Sequence, residues 1–478
     1  MNNPEELITD LENNKERFEP RLKLLDATMI VAGSMVGSGI FIVSADIVRN
    51  VGSVGWLMIV WILTGLLTMA AAVSYGELSA MFPKAGGQYT YLKEAFGRLT
   101  GFLYGWTLFA VIQTGTIAAV GVAFAKFTAY FFPVFELNAQ HTIVNLGFTK
   151  FQPAHLLSIV IIILLTWINT KGVEGGKKIQ TIFTVTKITA LMALVIFGLA
   201  LGANKDVWNT NWTNAFQLHS LIIHSNNFSF IALSGLVAAA MVGSVFSADA
   251  WNNITFIAGE VQNPKRNIGL SLILGTGIVL LLYVLTNLMY TSVLTLPEIA
   301  NAPSDRVAVA VCNKIFGETG TKLMAALIMI STFGCINGMI LAGARVYYTM
   351  AKDKMFFNQV AHLNKNNVPE KALWFQCIWT CLLCMSGKYG DLLDYVTMAA
   401  LLFYIVTILG IFKLRITMPN AERSYQALGY PFIPALYIII ASLFCVLLLL
   451  YKPAFTLPGV GIVLLGIPIY FVLIKNKI

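Results

Sequence analysis

The chain has 478 residues, of which 57% are apolar and 12% charged, with a mean hydropathy of +0.74; soluble domains carry about 25% charged residues, so a water-soluble globule is excluded. The formal net charge of +9 would suggest nucleic acid as partner of a soluble protein, but membrane proteins gather Lys and Arg in cytoplasmic loops, and no nucleic-acid role is inferred. Uninterrupted apolar runs such as Leu156–Trp167 and Leu270–Leu285 lack the two-residue alternation of outer-membrane barrel strands.

Residues 1–25 are charge-rich and hold no apolar h-region, so they do not read as a cleaved signal peptide and are expected to stay in the cytoplasm. After them come twelve apolar stretches, at 26–50, 54–81, 99–131, 153–172, 179–202, 228–258, 268–293, 316–352, 372–387, 389–414, 431–450 and 456–474. At about 20 residues per crossing each is a candidate transmembrane helix. Loop parity then assigns 22 of the 32 Lys and Arg to inner segments and eight to outer ones, with Lys126 and Lys187 inside spans. That asymmetry predicts an all-α, multi-pass protein of the cytoplasmic membrane with both termini cytoplasmic.

Two spans are irregular. The first holds Gly33, Gly37 and Gly39 in the string Gly33-Ser-Met-Val-Gly-Ser-Gly-Ile-Phe41. One reading is close helix packing through Gly33-xxx-Gly37; the other is an unwound stretch whose backbone groups need partners other than lipid, such as a ligand. The sixth span carries Phe246-Ser-Ala-Asp249-Ala-Trp251, and an intramembrane carboxylate by default marks a polar pathway. Met-Val-Gly-Ser occurs at Met35–Ser38 and again at Met241–Ser244. Interruptions at corresponding points of two halves point to a transporter site at the membrane midplane.

Several strings, in this order, resemble the amino acid–polyamine–organocation superfamily, and within it the bacterial relatives of the L-type amino acid transporters. They are Gly37-Ser-Gly-Ile-Phe41, Tyr75-Gly-Glu-Leu78, Pro83-Lys-Ala-Gly-Gly-Gln-Tyr-Thr-Tyr-Leu92, the segment from Gly172 to Gly176, Glu260-Val-Gln-Asn-Pro-Lys-Arg-Asn267, Leu285-Thr-Asn-Leu-Met-Tyr290 and Phe333-Gly-Cys-Ile-Asn-Gly338. The resemblance implies a LeuT-like fold: a cytoplasmic segment 1–25, inverted repeats over 26–202 and 228–414, and two peripheral helices over 431–474. It implies transport by alternating access. By the same resemblance Val36, Gly37, Ser38 and Gly39 would surround the substrate's α-carboxylate, and the carbonyls of Met35 and Phe246 would face its ammonium. The Phe246 ring resembles the family's gate. Helix amino termini suit an anion on physical grounds, because they present unpaired N–H groups and a positive dipole end.

Lys187, mid-way along the fifth span, matches the position where sodium-independent members carry a basic side chain near the unwound helix. Its competing reading is a side chain snorkelling to an interface. An ammonium among carbonyls could replace a cation and, since burial disfavours the charged amine, also release a proton during the cycle. Asp249 stands where many neutral-specific members carry glycine. Either it faces the side-chain pocket, where it would pair with a cationic substrate, or it bonds to a neighbouring helix.

Other constellations carry no chemistry. Cys377, Cys381 and Cys384 share one helix face with no His, Asp or Glu beside them, Cys312 falls in an expected outer loop, and His141, His155, His219, His224 and His362 lie in loops or at span ends. Enzymatic, metal-dependent and cofactor-dependent functions are therefore not expected, and no Walker sequence supplies ATP coupling. The Asn-x-Ser/Thr triplets at Asn211, Asn227 and Asn253 are expected by chance. The expectation is secondary amino acid transport, sodium-independent, by exchange or proton symport, with neutral amino acids favoured. Its alternatives are a cationic or broad-range amino acid or polyamine transporter and, from other classes, an amino-acid-sensing receptor or a channel. The substrate amino acid, protons and the lipid bilayer are the expected partners. No cysteine occurs in Phe132–Gln152, where eukaryotic relatives form a disulfide to a glycoprotein, so no such subunit is expected.

Overall fold

In lipid every backbone N–H and C=O has to be satisfied within the protein, so a chain of this composition is built from helices. The computed structural model describes residues 18–137, 142–145, 150–217, 230–385 and 389–474. Outside them lie residues 1–17 with Lys15 and Arg17, the span ends 228–229 and 386–387, His141, His219, His224, Asn227, Lys388, Lys475 and Lys477.

The main helices are α1 (Leu24–Met35), α2 (Gly39–Val51) and α3 (Val54–Met81); α4 (Arg98–Thr128); then α5 (Pro153–Thr170), α6 (Val173–Phe197), α7 (Phe230–Ser247), α8 (Pro264–Val293), α9 (Val307–Lys352), α10 (Glu370–Cys384), α11 (Tyr389–Thr417), α12 (Phe432–Tyr451) and α13 (Pro453–Ile469). A two-residue antiparallel pairing, Val144–Asn145 with Lys150–Phe151, lies between α4 and α5. Among the described residues eight helices are long and apolar enough to cross a membrane, and α1 with α2, bent by 41° at their junction, makes nine. Every expected span overlaps a helix; α10 has 15 residues, and α7 ends at Ser247 although hydropathy runs on to residue 258.

Local signals account for the ends. Gly52, at φ 61°, closes α2 in the left-handed conformation, which glycine adopts without a Cβ clash. Pro264 opens α8 at its first turn, where a missing N–H costs nothing. Gly317, at φ 64° and ψ −152°, divides α9. Helix therefore precedes the span expected from 316, and Cys312 is buried in that preceding stretch rather than lying in a loop.

Packing brings the helices into two groups. In one, α8 lies along α3 and α1, and α7 along α2 and α3; in the other, α4, α5, α9 and α10 pack together. Between them α6 touches both α1 and α9, while α11 touches α4, α12 and α13. Outward-facing Leu66, Ile182, Leu281, Leu323, Ile439 and Leu450 are exposed, as lipid-facing side chains should be. Fully buried Glu77 on α3 is held by Arg415 on α11 at 2.9 and 2.7 Å, by Arg423 at 3.3 Å and by the Ala427 N–H at 2.8 Å.

Candidate functional site

The backbone leaves its helical path at Val36–Ser38, between α1 and α2. The N–H of Gly37, whose regular helical acceptor is the Gly33 carbonyl, donates to the Met35 carbonyl at 2.8 Å instead. A helix end leaves its last four carbonyls without amide donors. Here side chains from three other helices supply them. Lys187 on α6 donates from Nζ to the Gly33 carbonyl and to that of Val36 at 2.7 Å. On α9, the Cys335 thiol donates to the Ser34 carbonyl at 3.1 Å, and the Ser331 hydroxyl lies 3.2 and 3.3 Å from the carbonyls of Val36 and Gly37. On α8, the Tyr283 hydroxyl reaches the Met35 carbonyl at 3.0 Å. Lys187 is thus buried at 1% exposure among carbonyls and does not snorkel.

The second break follows Ser247. Ala250 takes φ 64°, a strained conformation for a residue with a Cβ, before a short helix resumes at Asn253–Phe256. The two breaks touch: a Cβ on Gly39 would meet the Ser247 side chain and come within 3.1 Å of the Ser247 Cα. Tyr283 links them as well, its hydroxyl lying 3.0 Å from both the Met35 and the Ser247 carbonyls. Glycine here serves close packing and unwinding together, since a Cβ on Gly33 would strike Thr184 and Gln180 on α6 and one on Gly37 would lie 3.2 Å from Cys335 Sγ.

Between the breaks is a cavity lined by Met35, Gly37, Ser38, Gly39, Phe246 and Asp249, among others. Its floor is the start of α2, which has no side-chain cap, so the N–H groups of the first turn and the positive helix end are the local electrostatic feature. The expected site residues are therefore brought together, with two qualifications of role. Val36 belongs to the break but meets Lys187 and Ser331 rather than lining the cavity, and the Met35 carbonyl is already engaged by Tyr283 and Gly37. Phe246 is buried and its carbonyl accepts from the Asp249 N–H at 3.2 Å. Asp249 accepts a hydrogen bond from Tyr404 on α11 at 2.5 Å and lines both this cavity and a second one beyond it. The carboxylate therefore bonds to a neighbouring helix and also borders the cavity.

Sequence reasoning overlooked Tyr283, Ser331 and Tyr404. A signal existed for the first: Tyr283, Asn287 and Tyr290 recur at helical spacing along α8, and all three bond into the first span, Asn287 to Ser44 at 2.6 Å and Tyr290 to the Ile40 carbonyl at 3.3 Å. A polar stripe on an otherwise apolar helix marks the side turned from lipid.

The family model described as amino acid permease matches residues 22–474. The chain belongs to the amino acid permeases. The human large neutral amino acids transporter small subunit 2 is 30% identical over 458 residues, covering 95% of this permease and 80% of the human protein. The mouse b(0,+)-type amino acid transporter 1 is 28% identical over 463 residues, with 96% and 89% covered, and the mouse Asc-type amino acid transporter 1 is 28% identical over 455 residues, with 95% and 81% covered. The permease is a multi-pass membrane transporter of amino acids and not an enzyme. The human relative is named as a small subunit, so the expectation that no glycoprotein subunit is needed draws no support from it.

Proposed function

We propose that this permease carries neutral amino acids across the cytoplasmic membrane by alternating access, without sodium, through exchange or proton symport. Twelve crossings are arranged as two inverted five-helix repeats, 26–202 and 228–414, with 431–474 outside the core and both termini cytoplasmic. The observation that carries the reading is the cavity shared by the two breaks, with the uncapped amino terminus of α2 on one side and Phe246 on the other. An α-carboxylate suits the N–H groups at Ser38 and Gly39, at the start of α2, and an ammonium suits the second lone pair of the Phe246 carbonyl. Phe246 acts as the gate over the bound substrate. Lys187 serves in place of a sodium ion: a compact ammonium already bonded to two carbonyls of the broken helix needs no further cation there.

The test is uptake of radiolabelled alanine into proteoliposomes, with and without unlabelled amino acid inside and with and without sodium. Stimulation by internal substrate identifies exchange, and dependence on an imposed pH gradient identifies symport. Stimulation by sodium contradicts the proposal.

A further inference from the structure

Beyond Asp249 lies a second cavity. It shares Thr116, Asp249, Ala250 and Met339 with the first, so a substrate held at the breaks has its side chain directed at a second, separately lined chamber. That chamber's polar groups are unevenly satisfied. Gln88 is used on both ends, donating to Thr407 at 3.0 Å and accepting from Asn252 at 3.1 Å, and Gln113 donates to the Met339 carbonyl at 2.7 Å. The Tyr104 hydroxyl and the Asn253 amide nitrogen, in contrast, are buried without a hydrogen-bond partner among the described residues. Both residues are about 1% exposed.

We infer, resting on the transport reading above, that this chamber selects among neutral amino acids for a side chain ending in a carboxamide, of which glutamine is the type. The complementarity follows from what each wall group offers. The Asn253 nitrogen has only N–H to give and calls for an acceptor, the Asp249 carboxylate calls for a donor, and the Tyr104 hydroxyl takes either role. A carboxamide supplies a carbonyl and an NH2 together. An ammonium or guanidinium supplies donors alone and leaves the Asn253 amide unanswered, and an aliphatic end answers none of the three. A site that leaves buried polar groups unpaired against the wrong substrate discriminates far better than one that measures only size. Tyr104 and Asn253 are then the specificity-determining residues, and neither lines the cavity between the two breaks.

Competition against radiolabelled alanine uptake tests this, with glutamine, norleucine and lysine as competitors and with Tyr104→Phe and Asn253→Leu beside the wild type. Tyr104→Phe keeps the ring, which packs edge-on against Phe403 at 5.4 Å between centroids, and so guards against a folding artefact. The expected result is glutamine inhibiting at least tenfold better than norleucine and lysine in the wild type, with the glutamine-to-norleucine ratio falling towards one in each variant. Equal inhibition by glutamine and norleucine in the wild type, stronger inhibition by lysine, or a ratio unchanged in both variants would overturn the inference while leaving alanine transport standing. Absence of alanine uptake by the wild type would overturn the transport reading and this inference with it.

Discussion

Lys187→Met removes the ammonium and keeps most of the stem, which makes it the cleanest probe of the first break. The Val36 carbonyl retains Ser331 as a donor at 3.2 Å, so the acceptor left without a side-chain partner is that of Gly33, whose regular amide donor is already turned to Met35. An unpaired buried acceptor costs about 1–3 kcal/mol, and loss of a cation at a helix carboxyl end adds about 0.3–2 kcal/mol. Against both stands relief from burying a charge, which costs several kcal/mol per ion even after relaxation. The terms oppose each other at similar size, so the variant should insert, purify and melt close to the wild type. Transport is different, because the tie between α6 and the end of α1 is gone. Sodium-free alanine uptake in proteoliposomes is expected to fall at least tenfold at matched protein density. Full activity in Lys187→Met, or uptake by the wild type that rises with sodium, would refute the role given to this lysine.

Phe246→Ala should lower the maximal rate of uptake more than it raises the half-saturating concentration, as measured by initial rates, because a gate acts on turnover; an unchanged rate removes that role. Glu77→Gln should destabilise the purified protein by about 3–5 kcal/mol, the cost of breaking a buried pair, read as loss of thermal stability in detergent. At Glu298, burial pushes the carboxyl up, but hydrogen bonds from the Thr295 N–H and hydroxyl and from Lys314 outweigh it and hold the group below its usual value. A lowered value stabilises the folded state above the usual carboxylate range and loses that contribution as pH falls through it. With the side chain 45% exposed, Glu298→Gln should cost under about 1 kcal/mol at pH 7, and the difference in melting should vanish in acid.

Much of the helical layout was legible because lipid demands long apolar helices, and the two irregular spans were legible because Gly37-Ser-Gly39 and Asp249 are out of character with their surroundings. The ends of α7 and α9 were not. Hydropathy averages over Ala248–Asn252 and cannot register a backbone reversal at Ala250, and it reads the helix ahead of Gly317 as loop. The placement of Lys187 near the first break could be anticipated from its depth in the span, but its two acceptors could not, since which carbonyls face α6 depends on how far α1 unwinds. Tyr404 was silent for a similar reason: its hydrogen-bond partner, Asp249, is fixed only when α11 is set against the second break.

The most direct test of the central claim, that the two breaks form the amino acid site, is equilibrium binding of radiolabelled alanine to purified protein in sodium-free buffer, comparing wild type with Ser38→Leu. Ser38 is 1% exposed and lines the cavity, so a leucine there fills the space that the α-carboxylate needs. The account predicts saturable binding by the wild type and at least a tenfold loss of affinity in a Ser38→Leu protein that remains folded. Equal affinity in the two proteins would contradict it.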